Sequence, residues 1–99
     1  MTDITPTTVL RRRSDVRYRR IEGEAVVLRQ SAAEVLVLNE AGASVLDLAD
    51  GERSVGEWID ALAGEYDGDS AELARDVLAF AAELAEAGLL ERVAGSREP

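Results

Sequence analysis

The stretch Glu34-Val35-Leu36-Val37-Leu38-Asn39 predicts a β-strand that leads directly into a helix. Four consecutive apolar residues, two of them β-branched, are typical of a pleated and well-buried strand. Asn39 is suited to cap the following helix, because its side-chain oxygen accepts a hydrogen bond from a backbone N–H of the first turn. The segments before this junction resemble strands and those after it resemble helices. The junction therefore divides the chain into a sheet half and a helical half.

Upstream of the junction, the sequence predicts an antiparallel meander of three strands. Residues 16–21 alternate apolar and charged side chains, which is the pattern of a half-buried strand. Residues 22–23, Glu-Gly, suit a two-residue hairpin turn because glycine tolerates positive φ, and residues 24–30 form the second strand. The short connections favour antiparallel pairing. The second and third strands are apolar on both faces, so either helices and termini cover both faces or one face is kept for a partner.

Downstream, three helices are predicted. The first runs over about residues 40–49 and stops at Asp50-Gly51, where the glycine is suited to a left-handed conformation. Ser54-Val55-Gly56-Glu57 matches a capping box that starts the second helix. The third begins at Asp69 or Ser70 and runs to about residue 87. Trp58 is expected to anchor the core, and residues 89–93 predict a short terminal strand.

The third predicted helix carries a wide apolar arc. Its first half is a core stripe at helical spacing, formed by Leu73, Val77, Phe80 and Leu84. Beside it lies a stripe of mostly small residues, formed by Ala74, Leu78, Ala81 and Ala85. This second stripe either packs against other helices of the same domain or floors a groove. The residues alone leave both interpretations open.

The composition limits the catalytic groups and metal ligands that the chain can supply. Ninety-nine residues fit one domain with a modest core, which we place at residues 9–93 between disordered segments 1–8 and 94–99. The chain has no His and no Cys, so the usual zinc ligands, a thiol nucleophile and the commonest general base near neutral pH are absent. An enzyme is therefore the least favoured class, and we expect no metal or cofactor.

No apolar run approaches the ~20 residues that span a bilayer, and no signal peptide is recognisable, so we expect a cytoplasmic protein without membrane contact.

Charge is unevenly distributed along the chain. Residues 1–30 hold seven Arg and four acidic residues, whereas residues 31–99 hold four Arg and sixteen acidic residues. The acidic helical half would repel nucleic-acid phosphates, although it would attract a basic peptide or the basic face of a protein at low salt. The alternative is an acidic surface that only keeps the domain soluble. Three adjacent Arg at residues 11–13 are too few to indicate nucleic-acid binding.

Several short motifs together resemble one family. They include Glu22-Gly23-Glu24-Ala25-Val26-Val27-Leu28, Val37-Leu38-Asn39-Glu40-Ala41-Gly42, Leu48-Ala49-Asp50-Gly51 and the terminal Gly88-Leu89-Leu90. In this order and spacing, over roughly residues 9 to 92, the chain resembles the PqqD-like family. The resemblance implies an α+β, winged-helix-like domain with a three-stranded antiparallel sheet followed by three helices.

The resemblance also implies a function. Members of this family act as non-catalytic recognition modules that bind the leader segment of a ribosomally synthesised precursor peptide. They present the precursor to a modifying enzyme, such as a radical SAM protein or a leader peptidase. The leader adds as a strand to the edge of the third strand and packs against the third helix, which is β-augmentation. An exposed edge of this kind also allows a weak edge-strand dimer as an alternative to a monomer.

Carried onto this chain, the resemblance implies two groups of peptide-binding residues. The binding strand is Glu34, Val35, Leu36, Val37 and Leu38, and the facing helix positions are Ala74, Leu78, Ala81 and Ala85, with Arg75 at the rim. Arg75 pairs either with a leader carboxylate or with an acid of its own helix. Many family members carry an aromatic residue just before the Leu-Asn step and a Trp in the first helix, and this chain has neither. The side-chain preferences of its partner are therefore expected to differ.

Two other functions stay open from the sequence. A winged-helix DNA-binding regulator fits the predicted fold, but it needs a basic recognition helix, and the second helix carries Glu57, Asp60 and Glu65. An acidic adaptor or dimerisation domain would bind only a folded protein. Partner binding that is retained in the Leu36→Pro variant would favour the adaptor over a peptide-binding strand.

Overall fold

The computed structural model describes residues 4–65 and 68–93. The elements in chain order are β1 (Val9–Arg12), β2 (Val16–Ile21), β3 (Glu24–Arg29), β4 (Glu34–Leu38), α1 (Glu40–Leu48), β5 (Asp50–Ser54), α2 (Val55–Ala63), α3 (Ser70–Glu86) and β6 (Leu90–Arg92). This is the predicted α+β architecture, with antiparallel sheets and three helices. The expected disorder of residues 1–3 and of the tail 94–99 lies outside the described residues.

The first sheet is the predicted meander, with strand order β2-β3-β4 and antiparallel pairing throughout. Glu22 and Gly23 both have positive φ, 49° and 86°. Positive φ at both central residues is the conformation of a type I′ hairpin turn, which matches the twist of the flanking strands. A short 3-10 turn at residues 30–32 and Ala33 in the left-handed region lead from β3 into β4.

The second sheet, with order β5-β1-β6, contains two strands, β1 and β5, that the sequence did not predict. The segment that forms β5 is polar and has no strand pattern, so its conformation comes from pairing with β1, where Val9 lies opposite Ser54. Gly51 has a φ of 85° inside this strand, and α1 instead ends with Ala49 as its C-cap. The predicted helix stop at Asp50-Gly51 is therefore the start of β5. The predicted terminal strand is confirmed as β6.

Residues 4–8 differ from the disordered arm that the sequence suggested. Thr8 is fully buried. Its carbonyl oxygen accepts a hydrogen bond from Val55 N–H at 2.9 Å, and the Pro6 carbonyl accepts one from Gly56 N–H at 2.8 Å. These bonds satisfy N–H groups in the first turn of α2 that have no partner inside the helix. The arm is held in place because it completes the N-terminus of a helix.

All three helices begin at the side-chain caps that the sequence predicted. Asn39 Oδ1 accepts from Gly42 N–H at 3.0 Å at the start of α1. Ser54 and Glu57 form a complete capping box at the start of α2, and Asp69 Oδ1 accepts from Ala71 N–H at 3.0 Å before α3. A side-chain cap of this type contributes about 1 kcal/mol to stability. The caps therefore fix where each helix starts.

The core lies between the two sheets and the three helices. Trp58 is fully buried, which confirms its predicted role as a core anchor. Leu73, Val77 and Leu84 of the predicted core stripe are also buried, whereas Phe80 is only partly buried. Phe80 is thus the member of that stripe that reaches the margin of the core.

A polar cluster links the two sheets to the C-terminal end of α1. Arg12 of β1 donates to the carbonyl oxygens of Leu46 and Ala49, and its guanidinium lies 5.5 Å from the centre of the Tyr18 ring. The Tyr18 hydroxyl donates to Asp47, which also forms an ion pair with Arg20 at 2.8 Å. Desolvation alone would raise the pKa of Asp47, but the hydrogen bonds from Tyr18 and Arg20 outweigh it and lower that pKa.

We expect Asp47→Asn to remove one acid-sensitive contribution to stability. A carboxyl whose pKa is lower in the folded state stabilises the protein above its unfolded pKa, and this stabilisation is lost as pH falls through the folded value. The free energy of unfolding of D47N should therefore differ from that of the wild type most near neutral pH. The difference should shrink below the ordinary Asp value of 3.8. Urea unfolding at several pH values measures this.

The matched control is Asp60→Asn, which changes an exposed Asp on α2. Its effect on the free energy of unfolding should be small at every pH. A D47N effect that is the same at pH 7 and at low pH would contradict the assigned role of Asp47.

Candidate functional site

One edge of β4 has no paired strand among the described residues. In the first sheet β4 has β3 on one side and no strand on the other. An edge strand presents unpaired N–H and C=O groups, and proteins usually protect it with Lys, Pro or a bulge. Residues 34–38 contain no Lys or Pro, and their pairing with β3 is regular along the whole strand. The edge is therefore ready to pair with another extended chain.

The two faces of β4 have different surroundings. Leu36 and Leu38 share the inner face of the sheet with the buried residues Ala25 and Val27, and both leucines are partly buried against the core. Val35 and Val37 point to the outer face, where they are 65% and 61% exposed. A strand added to this edge would thus place alternate side chains on the inner and outer faces.

The outer face of the first sheet is uncovered. It carries every large apolar residue that is exposed in the described part of the chain, namely Ile21, Leu28, Val35 and Val37. Arg17 and Arg19 lie on the same face of β2. Of the two arrangements that the sequence left open, the described residues show the one in which helices and termini do not cover both faces of the sheet.

On the inner side, β4 and α3 form the two walls of a groove. Gly42, at the start of α1, lies between them, because a Cβ placed there would be 2.7 Å from Leu38 Cβ and 3.2 Å from Phe80 Cζ. α3 packs mainly on α2 and β6 rather than on β4. Phe80 is thus the α3 side chain that lies beside the end of β4.

The other end of the groove is bounded by Arg29. Its guanidinium lies against Gly88 after the end of α3, since a Cβ at Gly88 would be 2.6 Å from Arg29 Cζ. Arg29 also forms an ion pair with Glu34 at 3.7 Å. Its charge is thus shared with a carboxylate at the start of β4.

Beyond Leu38 the groove opens into a cavity of about 390 Å³ between the three helices. Asn39, Glu40 and Ala41 of the α1 start line it on one side, and α3 lines it on the other. The remaining lining residues are Ser44, Val45, Leu62, Glu65, Leu73, Asp76, Val77 and Phe80. The walls are mostly apolar, and the charged groups among the described lining residues are the carboxylates of Glu40, Glu65 and Asp76.

The predicted helix positions are not brought to this groove. At about 100° per residue, Ala74, Leu78 and Ala85 lie roughly 120–160° around α3 from Phe80. Ala81 is fully buried in the core, and Leu78 is partly buried against it. Arg75 is exposed but lies about 140° from Phe80. Of the predicted residues, the structure places only those of β4 at the open edge.

Sequence reasoning missed Phe80 and Asp76 as residues of the groove. Helical spacing groups Phe80 with the core stripe and Asp76 with the solvated side of α3. The spacing of apolar and acidic residues along α3 does not reveal which flank of the helix faces β4. The Leu-Asn-x-x-Gly step was the available signal, because its glycine, Gly42, lets Leu38 and Phe80 approach each other.

We expect Gly42→Ala to destabilise the fold by about 1–3 kcal/mol. The added methyl group would overlap Leu38 and Phe80 in a packed region, which is the usual cost of overpacking. Urea unfolding of the variant provides the measurement. Gly64→Ala is the control, because its Cβ would meet no atom closer than 3.7 Å. Equal stability of the two variants would contradict the close approach of Leu38 and Phe80 over Gly42.

The described residues contain no cluster of His, Cys, Asp or Glu that could hold a metal ion. Over the same part of the chain, no helix is both long enough and apolar enough to span a bilayer.

The sequence model of the family described as coenzyme PQQ synthesis protein D (PqqD) matches residues 24–90. Among curated proteins, none matches the chain significantly.

Solved structures match over most of the chain. The solution NMR structure of the PqqD truncation of Methylobacterium extorquens PqqCD, described as a functional and stand-alone RiPP recognition element, is 31% identical. It covers 92% of this chain and 97% of its own, with a TM-score of 0.75. TbiB1 in complex with the TbiA(beta) leader peptide is 26% identical, covers 89% and 99%, and has a TM-score of 0.75. Lasso peptide synthetase B1 complexed with the leader peptide is 26% identical, covers 83% and 96%, and has a TM-score of 0.70.

Proposed function

Because the chain belongs to the PqqD family, we propose that it binds the leader segment of a ribosomally synthesised precursor peptide by strand addition to β4. The observation that carries the proposal is the unprotected edge of β4 beside a groove walled by α3. Two similar structures are complexes with leader peptides. Their resemblance supports a peptide as the occupant of this edge.

Strand addition accounts for both the affinity and the side-chain preferences of binding. Backbone hydrogen bonds along residues 34–38 give affinity that depends little on sequence. Inward side chains of the leader would contact Leu36, Leu38 and Phe80, which are all partly buried and apolar. Outward side chains would lie next to Val35 and Val37 on the outer face. The leader is therefore expected to carry apolar residues at alternate positions.

The helix contact of the leader is proposed to differ from the one that the family resemblance implied. Phe80 and Asp76 lie on the flank of α3 that faces the β4 end and the cavity. Ala74, Leu78, Ala81, Ala85 and Arg75 lie in the core or on other flanks. Their contact with a leader stays a prediction, and we give Phe80 the principal role.

The partner of the bound precursor is proposed to be a modifying enzyme, of the radical SAM or leader peptidase class. The chain itself is proposed to have no catalytic activity. Since the edge of β4 would also accept a second copy of β4, a weak dimer would compete with the leader for the same hydrogen bonds.

The structure gives no support to DNA binding as an alternative. A recognition helix needs cations that face the phosphates. The exposed charged residues of α3 include Asp76, Glu83 and Glu86, and Asp60 is exposed on α2. A helix pair with this charge would be repelled from DNA.

An N-methyl scan of the leader tests strand addition directly. The probe is a synthetic leader peptide that binds the protein, selected beforehand from short candidate precursor sequences. In an edge pairing, only every second N–H of the added strand faces β4. Methyl groups at those positions should weaken binding about tenfold or more, because each removes a donor and blocks close approach. Methyl groups at the positions between them serve as matched controls and should have little effect.

The dissociation constants come from fluorescence anisotropy of the labelled leader. A two-residue period in the losses supports strand addition to β4, provided that amide signals of residues 34–38 shift in the same complex. Losses without this period, or shifts confined to other elements, would overturn the proposal.

A further inference from the structure

The cavity beside β4 continues the groove in the direction of the strand. Asn39, Glu40 and Ala41 follow Leu38 directly in the chain, and Phe80 both lies next to Leu38 over Gly42 and lines the cavity. A peptide that pairs with β4 and extends past Leu38 would therefore enter this space. Its volume of about 390 Å³ is within the range of cavities that hold a bulky group.

The cavity lining combines apolar and acidic residues. The walls include Val45, Leu62 and Val77, which suit an aliphatic chain. The lining also includes the exposed acidic residues Glu40, Glu65 and Asp76, and none of its described residues is Lys or Arg. Long cationic side chains place their methylene stems on apolar surface and keep the charged end near polar groups. A lysine or arginine would contact both the apolar walls and the carboxylates, whereas an apolar side chain would contact only the walls.

Arg20 reaches the cavity lining, where its guanidinium donates to Ser44 Oγ at 3.3 Å, but its charge is paired with Asp47 at 2.8 Å. Arg29 is at the opposite end of β4, where it is paired with Glu34 and lies against Gly88. Arg75 is on another flank of α3 from Phe80 and Asp76. The negative charge at the cavity is therefore local as well as part of the net charge of −9.

We propose that the cavity is a specificity subsite for one lysine or arginine of the leader. This inference rests on the proposed function, because the leader brings the side chain there. Every strand pair in the described part of the chain is antiparallel. If the leader pairs with β4 in the same way, its earlier residues lie toward the cavity. The basic residue then precedes the paired segment.

The pairing geometry gives its position. In a strand, side chains at every second residue share a face. Leader residues opposite Leu36 and Leu38 point into the groove, so the next inward residue toward the leader's N-terminus lies beside Glu40. The basic residue should therefore stand two positions before the residue opposite Leu38.

Three blocked heptapeptides test the subsite without knowledge of the natural leader. Each has valine at its third and fifth positions and threonine elsewhere. The first has lysine at position one, the second has norleucine there, and the third has lysine at the outward-facing position six instead. Norleucine keeps the stem of lysine without its charge. The third peptide has the composition and charge of the first, so it controls for general attraction to an acidic protein.

NMR titration of ¹⁵N-labelled protein at low salt gives the three dissociation constants. We expect the first peptide to bind about three- to fivefold more tightly than either other peptide, a factor in the range of exposed ion pairs. It should also shift the amides of Ser44 and Val77, which line the cavity. The preference should weaken as salt rises, because salt screens exposed charges.

Two protein variants locate the effect. Asp76→Asn together with Glu40→Gln should remove most of the preference for the first peptide. Glu52→Gln, an exposed residue of β5 in the other sheet, is the control and should leave it unchanged. Amide spectra of each variant establish that it is folded.

The outcomes separate this inference from the proposed function. If all three peptides shift residues 34–38 with equal affinity, strand addition stands and the basic subsite is wrong. Tighter binding of the norleucine peptide would make the cavity an apolar subsite and equally overturn the proposal. Failure of all three peptides to bind would also reject the subsite, whereas strand addition is judged by the N-methyl scan of the leader.

Discussion

The pairing of β3 with β4 is the interaction on which the site depends. Its regular register, from Ala25 opposite Leu38 to Arg29 opposite Glu34, decides which residues of β4 face the core and which face outward. A slip of one residue would exchange the two sets. The same pairing satisfies only one edge of β4, so the fold creates an open edge as a direct consequence of how it holds this strand.

The junction at Asn39 converts that edge into one wall of a groove. Its side chain caps α1 immediately after β4, and the first turn brings Gly42 beneath Leu38 and Phe80. Since glycine has no Cβ, the sheet and α3 approach each other at this point. Elsewhere α3 packs mainly on α2 and β6. The contact at Gly42 thus brings together β4 and α3, which belong to the sheet half and the helical half of the fold.

Local chemistry explains which parts of this structure could be predicted from the sequence. The hairpin at residues 22–23, the helix starts at Asn39 and Ser54, and the apolar stretch of β4 are set by neighbouring residues, so they were predicted. β5 was missed because its polar sequence is extended only through pairing with β1. The helix positions predicted to contact a leader lie on a different flank of α3 from Phe80, since spacing gives the faces of a helix but not its rotation against β4. Phe80 therefore entered the site only with the structure.

Isotope-filtered NOE spectroscopy of the complex between labelled protein and unlabelled leader tests the central claim most directly. An antiparallel strand added to β4 predicts cross-strand contacts between leader Hα or amide protons and backbone protons of residues 34–38, repeated every second residue. It also predicts contacts from inward leader side chains to Phe80. A bound leader whose contacts lie on other elements, with none to the backbone of β4, would contradict the account.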